Sequence, residues 1–65
     1  MIRVNGEPRD VAPGLTIVEL LSSLGVRPDR VAVELNRAIV KQGRWAETVV
    51  PPGAEIEIVQ FVGGG

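Results

Sequence analysis

Apolar and polar residues alternate over positions 1–5, Met-Ile-Arg-Val-Asn, which puts Ile2 and Val4 on one face and predicts a half-buried strand. Asn5-Gly6 follows, a pair suited to a tight hairpin turn because both residues accept positive φ. A second strand is expected near Arg9–Ala12, closed by Pro13-Gly14. From Thr16 the period changes. Ile17, Leu20, Leu21 and Leu24 recur at i, i+3, i+4 and i+7, one apolar stripe of a helix over Thr16–Leu24. Thr16 with Glu19 three residues on reads as a capping box, and Leu15 is placed to pack on Leu20 as a staple. Gly25 ends the helix, and Pro28 keeps it from resuming. Alternation returns at 31–35, with Val31, Val33 and Leu35 on one face. Asn36-Arg37 predicts a turn and Ile39-Val40 a short extended piece. Lys41–Thr48 is polar around Trp45 and predicts irregular chain with room for one short helical turn. Val49-Val50 is extended, Pro51-Pro52-Gly53 turns, and a last strand is expected over Glu55–Val62.

One amphipathic helix has one stripe to bury, and a mixed sheet offers the matching face. The order of elements predicts an α+β fold of ubiquitin-like β-grasp layout. The helix packs across a mixed sheet, with the first and last strands side by side in its middle. Residues 1–62 form the domain and 63–65 a flexible glycine tail.

Composition narrows the function. The chain has 65 residues, 45% of them hydrophobic, and neither Cys nor His. Disulfides, Cys/His zinc sites, thiol nucleophiles and a catalytic triad are thereby excluded, and no catalytic or metal-ligating residue is assigned. Seven basic residues against eight acidic give a net charge of −1, which argues against nucleic acid or an anionic membrane as partner. The six arginines, at 3, 9, 27, 30, 37 and 44, are interleaved with acids and form no phosphate-binding stripe. No apolar run approaches a membrane span and no secretory leader opens the sequence, so a soluble cytoplasmic domain is expected.

The last strand holds the candidate chemistry. If Ile56 and Ile58 face the helix, Glu55 and Glu57 face water, and the alternation then carries Val59 and Phe61 to the outer side. That predicts an apolar spot, with acids behind it, just before the tail. Scattered surface hydrophobes are the plain alternative, and a bulge could turn Phe61 inward. Glu55 and Glu57 are read as a solvated strand face rather than a catalytic pair, and Trp45 as core rather than a recognition residue. Gly63-Gly64-Gly65 is either a frayed terminus or a working one. A glycyl end lacks Cβ, can thread a narrow channel, and leaves its carbonyl carbon open to attack. A carboxylate is negatively charged at neutral pH and a poor electrophile, so a partner would have to activate it with ATP. This sequence holds no phosphate-binding loop of its own.

Taken together, Ile2-Arg3-Val4-Asn5-Gly6-Glu7, Thr16-Ile17-Val18-Glu19-Leu20-Leu21, Val31-Ala32-Val33-Glu34-Leu35-Asn36, Trp45, and the run from Ile56 through Gly65 resemble the ThiS family of sulfur carriers of bacterial thiamin biosynthesis. The resemblance implies a carrier that is not itself an enzyme and binds no cofactor. Gly65 would be adenylated by a ThiF-type enzyme using ATP and magnesium. Sulfur from a cysteine desulfurase relay would convert it to a thiocarboxylate, and the thiazole synthase ThiG would take that sulfur. By position, Gly63 and Gly64 complete the reactive tail, and Val59, Phe61 and Val62 lie where partners dock. One departure is visible: Gly53-Ala54 stands where the family often has Gly-Asp, which bears on a turn hydrogen bond. A sulfur carrier of another route (molybdopterin synthesis, tRNA thiolation, cysteine synthesis) or a plain ubiquitin-like binding module shares the same pattern.

Overall fold

The first hairpin turns on Asn5 and Gly6, with φ of 50° and 84°, the left-handed pair that a type I′ turn needs. The computed structural model describes residues 1–61. In it β1 (Ile2–Val4) pairs with β2 (Glu7–Arg9), Val4 opposite Glu7. The second strand was expected later, near Arg9–Ala12. A two-residue turn returns the chain at once, so pairing starts at Glu7 and is over by Arg9. Val11, beyond β2, instead packs half-buried against the core.

Thr16 is the N-cap of α1 (Ile17–Ser23). Its Oγ accepts from the Glu19 N–H at 3.2 Å, and Glu19 Oε1 accepts from the Thr16 N–H at 2.9 Å, completing the reciprocal box. Ile17, Leu20 and Leu21 are buried, and Leu24 and Leu15 pack half-buried against them. Leu24 caps the C-terminus and Gly25 follows with φ of 70°. A 3-10 turn, Pro28–Arg30, leads into β3 (Val31–Leu35). A second left-handed pair, Asn36 and Arg37, turns it back into β4 (Ala38–Val40). The segment around Trp45 contains one short 3-10 turn, Gln42–Arg44. Trp45 is 2% exposed, and its indole N–H donates to the Val40 carbonyl at 2.8 Å, so it is core, with its one polar atom satisfied.

The last strand, β5 (Glu55–Gln60), lies at the centre of a five-stranded sheet ordered β2-β1-β5-β3-β4. It runs parallel to β1 and antiparallel to β3. A parallel neighbour cannot be joined by a hairpin, and the crossover between β1 and β5 carries the helix onto one sheet face. Ile2, Val4, Val31, Val33 and Ile56 close the core from the sheet side. This is the ubiquitin-like β-grasp arrangement. β5 ends at Gln60, opposite Val31 where β3 begins; the expected end at Val62 lies outside the described residues. One further bond follows, from the Phe61 N–H to the Arg30 carbonyl at 2.8 Å. Ala54, at the position of the missing Asp, is 1% exposed. Its own N–H donates to the Pro51 carbonyl at 3.2 Å, so the backbone closes the turn. Among the described residues no helix is long and apolar enough to cross a membrane.

Candidate functional site

Strand alternation and register decide what the outer face of the sheet presents. On β5, Ile56 is buried and Ile58 half-buried on the helix side, while Glu55, Glu57 and Val59 are exposed opposite. Phe61 continues that outer row and is 60% exposed, with no bulge turning it inward; Val59 is 53% exposed. Val59 lies across from Ala32 on β3, so Ala32, Val59 and Phe61 form an apolar strip at the downstream end of β5. Val62, Gly63, Gly64 and Gly65 fall outside the described residues, as does the expected boundary between domain and tail.

Behind the strip the face turns acidic. Glu34 on β3 sits directly opposite Glu57 on β5, and Ile39 on β4 lies on the far side of Glu34. Ile39 is 74% exposed. Glu55 neighbours Arg3 across the parallel pair. Like charges directly opposite each other destabilise a sheet, so the Glu34–Glu57 pair costs the isolated fold some stability. Glu34 and Ile39 were not singled out in the sequence. The alternation of 31–35 does turn Glu34 outward, but its pairing with Glu57 and Ile39 depends on strand order and register, which that alternation does not contain.

Two side chains act on β5 from the hairpin turns. Asn36 Oδ1 accepts from the Glu55 N–H at 2.9 Å, at the strand's start. Asn5 Oδ1 accepts from the Ile58 N–H at 2.7 Å, and Asn5 Nδ2 donates to the Ile58 carbonyl at 3.2 Å. The sequence shows both asparagines only as turn formers.

The arrangement is a central strand, held from both edges, with an exposed apolar strip at its downstream end and acidic side chains behind it.

The ThiS family model matches residues 2–65. The sulfur carrier protein ThiS of Escherichia coli is 34% identical over 64 residues, covering 98% of this chain and 97% of that one. A thiazole synthase of Magnetococcus marinus is 44% identical over 64 residues, covering 98% of this chain and 20% of its own; this chain spans about a fifth of that relative's length. The crystal structure of a thiamine biosynthesis protein (ThiS) from Geobacter metallireducens superposes with a TM-score of 0.86 at 39% identity, covering 98% and 97% of the two chains.

Proposed function

From the premise that this chain belongs to the ThiS family of small sulfur carriers, we propose that its working group is the carboxyl of Gly65 and that the sulfur it carries goes to thiazole formation. The observation that carries this reading is that the family match runs through residue 65, onto Gly63, Gly64 and Gly65. In the proposed sequence a Gly65 carboxylate oxygen attacks the α-phosphorus of ATP within a ThiF-type partner, and magnesium pyrophosphate leaves. The terminal sulfur of a persulfide, formed from cysteine by a desulfurase relay, then attacks the acyl carbon and expels AMP; a second thiol cleaves the S–S bond of the resulting acyl disulfide, releasing the thiocarboxylate and forming a disulfide. A ThiG-type synthase is the acceptor; the resemblance to a longer thiazole synthase supports that destination. The chain itself contributes recognition and delivery: Val59, Phe61 and Val62 dock, and Glu57 with Glu34 steers a basic surface.

Incubation with a ThiF-type enzyme, magnesium ATP and a sulfur source should give a mass gain of one oxygen replaced by sulfur, located at Gly65 by fragmentation. No gain with the cognate enzyme rejects the reading.

Phe61→Ala tests the docking strip. An exposed ring that fills a partner pocket contributes about 1–3 kcal/mol to binding when truncated. The substitution should therefore weaken partner affinity by about tenfold or more while the thermal midpoint stays near that of the parent. A large stability loss with undiminished affinity of the folded fraction would place Phe61 in the core instead.

A further inference from the structure

The carboxamide of Asn5 occupies the place of a peptide group. The parallel ladder between β1 and β5 pairs Arg3 with Glu55 and Val4 with Ile56, and the Asn5 N–H donates to the Ile56 carbonyl at 2.8 Å. There β1 turns away into its hairpin. Ile58, next on that edge of β5, would be left without a strand beside it. The Asn5 side chain reaches across and makes both bonds a backbone neighbour would have made, accepting at 2.7 Å and donating at 3.2 Å. The turn alone does not demand asparagine here, because glycine accepts a φ of 50° at least as readily. Past Ile58 this edge opens onto a notch between the β1–β2 hairpin and the end of α1, lined by Glu7, Arg9, Leu24, Val26 and Gln60. Among the described residues Asn5 is thus the last hold on the β1 side of β5.

We propose that Asn5 is a positioning residue for sulfur loading: by clamping the Ile58 backbone it fixes the direction in which the end of β5 leaves the sheet, and so how the carrier presents its chain to the adenylating partner once docked. This rests on the carrier reading above. Reaction rates depend steeply on such placement, an error of about 1 Å costing on the order of a hundredfold. Asn36 supplies an internal control, since it too has a φ of 50° and too holds β5, but at Glu55, the opposite end.

The test compares Asn5→Gly, Asn5→Asp and Asn36→Gly as substrates of the ATP-dependent adenylating enzyme, in single turnover with the enzyme in excess and varied up to saturation. Asn5→Gly keeps the turn and loses both bonds; Asn5→Asp keeps the acceptor for the Ile58 N–H and loses the donor. Asn5→Gly should lower the maximal rate about tenfold with the half-saturating concentration unchanged, and should speed amide exchange at Ile58. Asn5→Asp should fall between it and the parent. Asn36→Gly should speed exchange at Glu55 and leave the maximal rate within twofold of the parent. A purely structural role predicts the opposite split, in which a smaller folded fraction shifts half-saturation and spares the maximal rate. That split, or equal rates for Asn5→Gly and the parent, overturns the proposal. Failure of the unsubstituted chain to be adenylated overturns the carrier reading instead.

Discussion

Deleting Gly65 should abolish thiocarboxylate formation and leave the fold intact. The shortened chain still ends in a glycyl carboxylate, so the chemistry of its end group is unchanged; what changes is reach. One residue fewer withdraws the carboxyl by up to about 3.5 Å from an active site whose position the proposed docking at Val59 and Phe61 would fix. That displacement exceeds the tolerance of a nucleophilic attack several times over, so a loss of at least a hundredfold is expected. The buried core lies between Ile2 and Ile56. Removal of Gly65 touches none of it, and the thermal midpoint should not move. Intact-mass analysis after incubation with the adenylating enzyme provides the measurement, with circular dichroism to confirm folding. Undiminished sulfur transfer by the shortened chain would mean that this carboxyl is not the working group. Unchanged partner function with no sulfur transfer in either chain would leave a binding module.

Leu21→Ala should remove much of the domain's stability. Leu21 is 1% exposed in the middle of the helix stripe, with Leu20 and Ile17 fully buried around it. Truncating a buried leucine costs about 2–5 kcal/mol, part lost transfer energy and part the cavity left behind. A fold of this size holds only on the order of 3–10 kcal/mol in total. Urea unfolding of small proteins loses about 1 kcal/mol per molar or somewhat more, so the midpoint should fall by about 1–3 M. Val18, one residue past the start of the same helix and 43% exposed, provides the contrast. Val18→Ala should leave the midpoint within a few tenths of a molar, because surface substitutions are typically worth about 0.5 kcal/mol or less. A negligible shift for Leu21→Ala would mean that the stripe does not face the sheet.

Much of this fold was legible because local chemistry and tertiary demand agree. Thr16 and Glu19 signal a helix start that the reciprocal hydrogen bonds then build. Asn5-Gly6 signals a hairpin that the two positive φ angles deliver. The apolar stripe and the alternating strands name most of the core in advance, and the lone indole of Trp45 adds a further member from the irregular segment. Where the reading slipped, the missing information was long-range. The length of β2 depends on how much of β1 it can pair with, which is not a property of the local residues. The site divides the same way. Outward Val59 and Phe61 follow from period-two alternation along one strand. The opposition of Glu34 and Glu57 needs a register across two strands, and the Asn5 clamp joins residues 53 positions apart. An asparagine before glycine is fully explained by the turn, so nothing in the sequence asks what its side chain does.

The parallel pairing of β1 with β5 also separates Met1 from Phe61. The Met1 carbonyl accepts from the Gly53 N–H at 3.0 Å, beside the start of β5, and Phe61 leaves from the other end. Six strand residues at roughly 3.3 Å each put about 20 Å between them. A fluorophore or affinity handle coupled at the Met1 amine would therefore sit about that far from Phe61. If the proposed function holds, the molecule can be immobilised or tracked from the Met1 side while the adenylating enzyme has free access beyond Phe61.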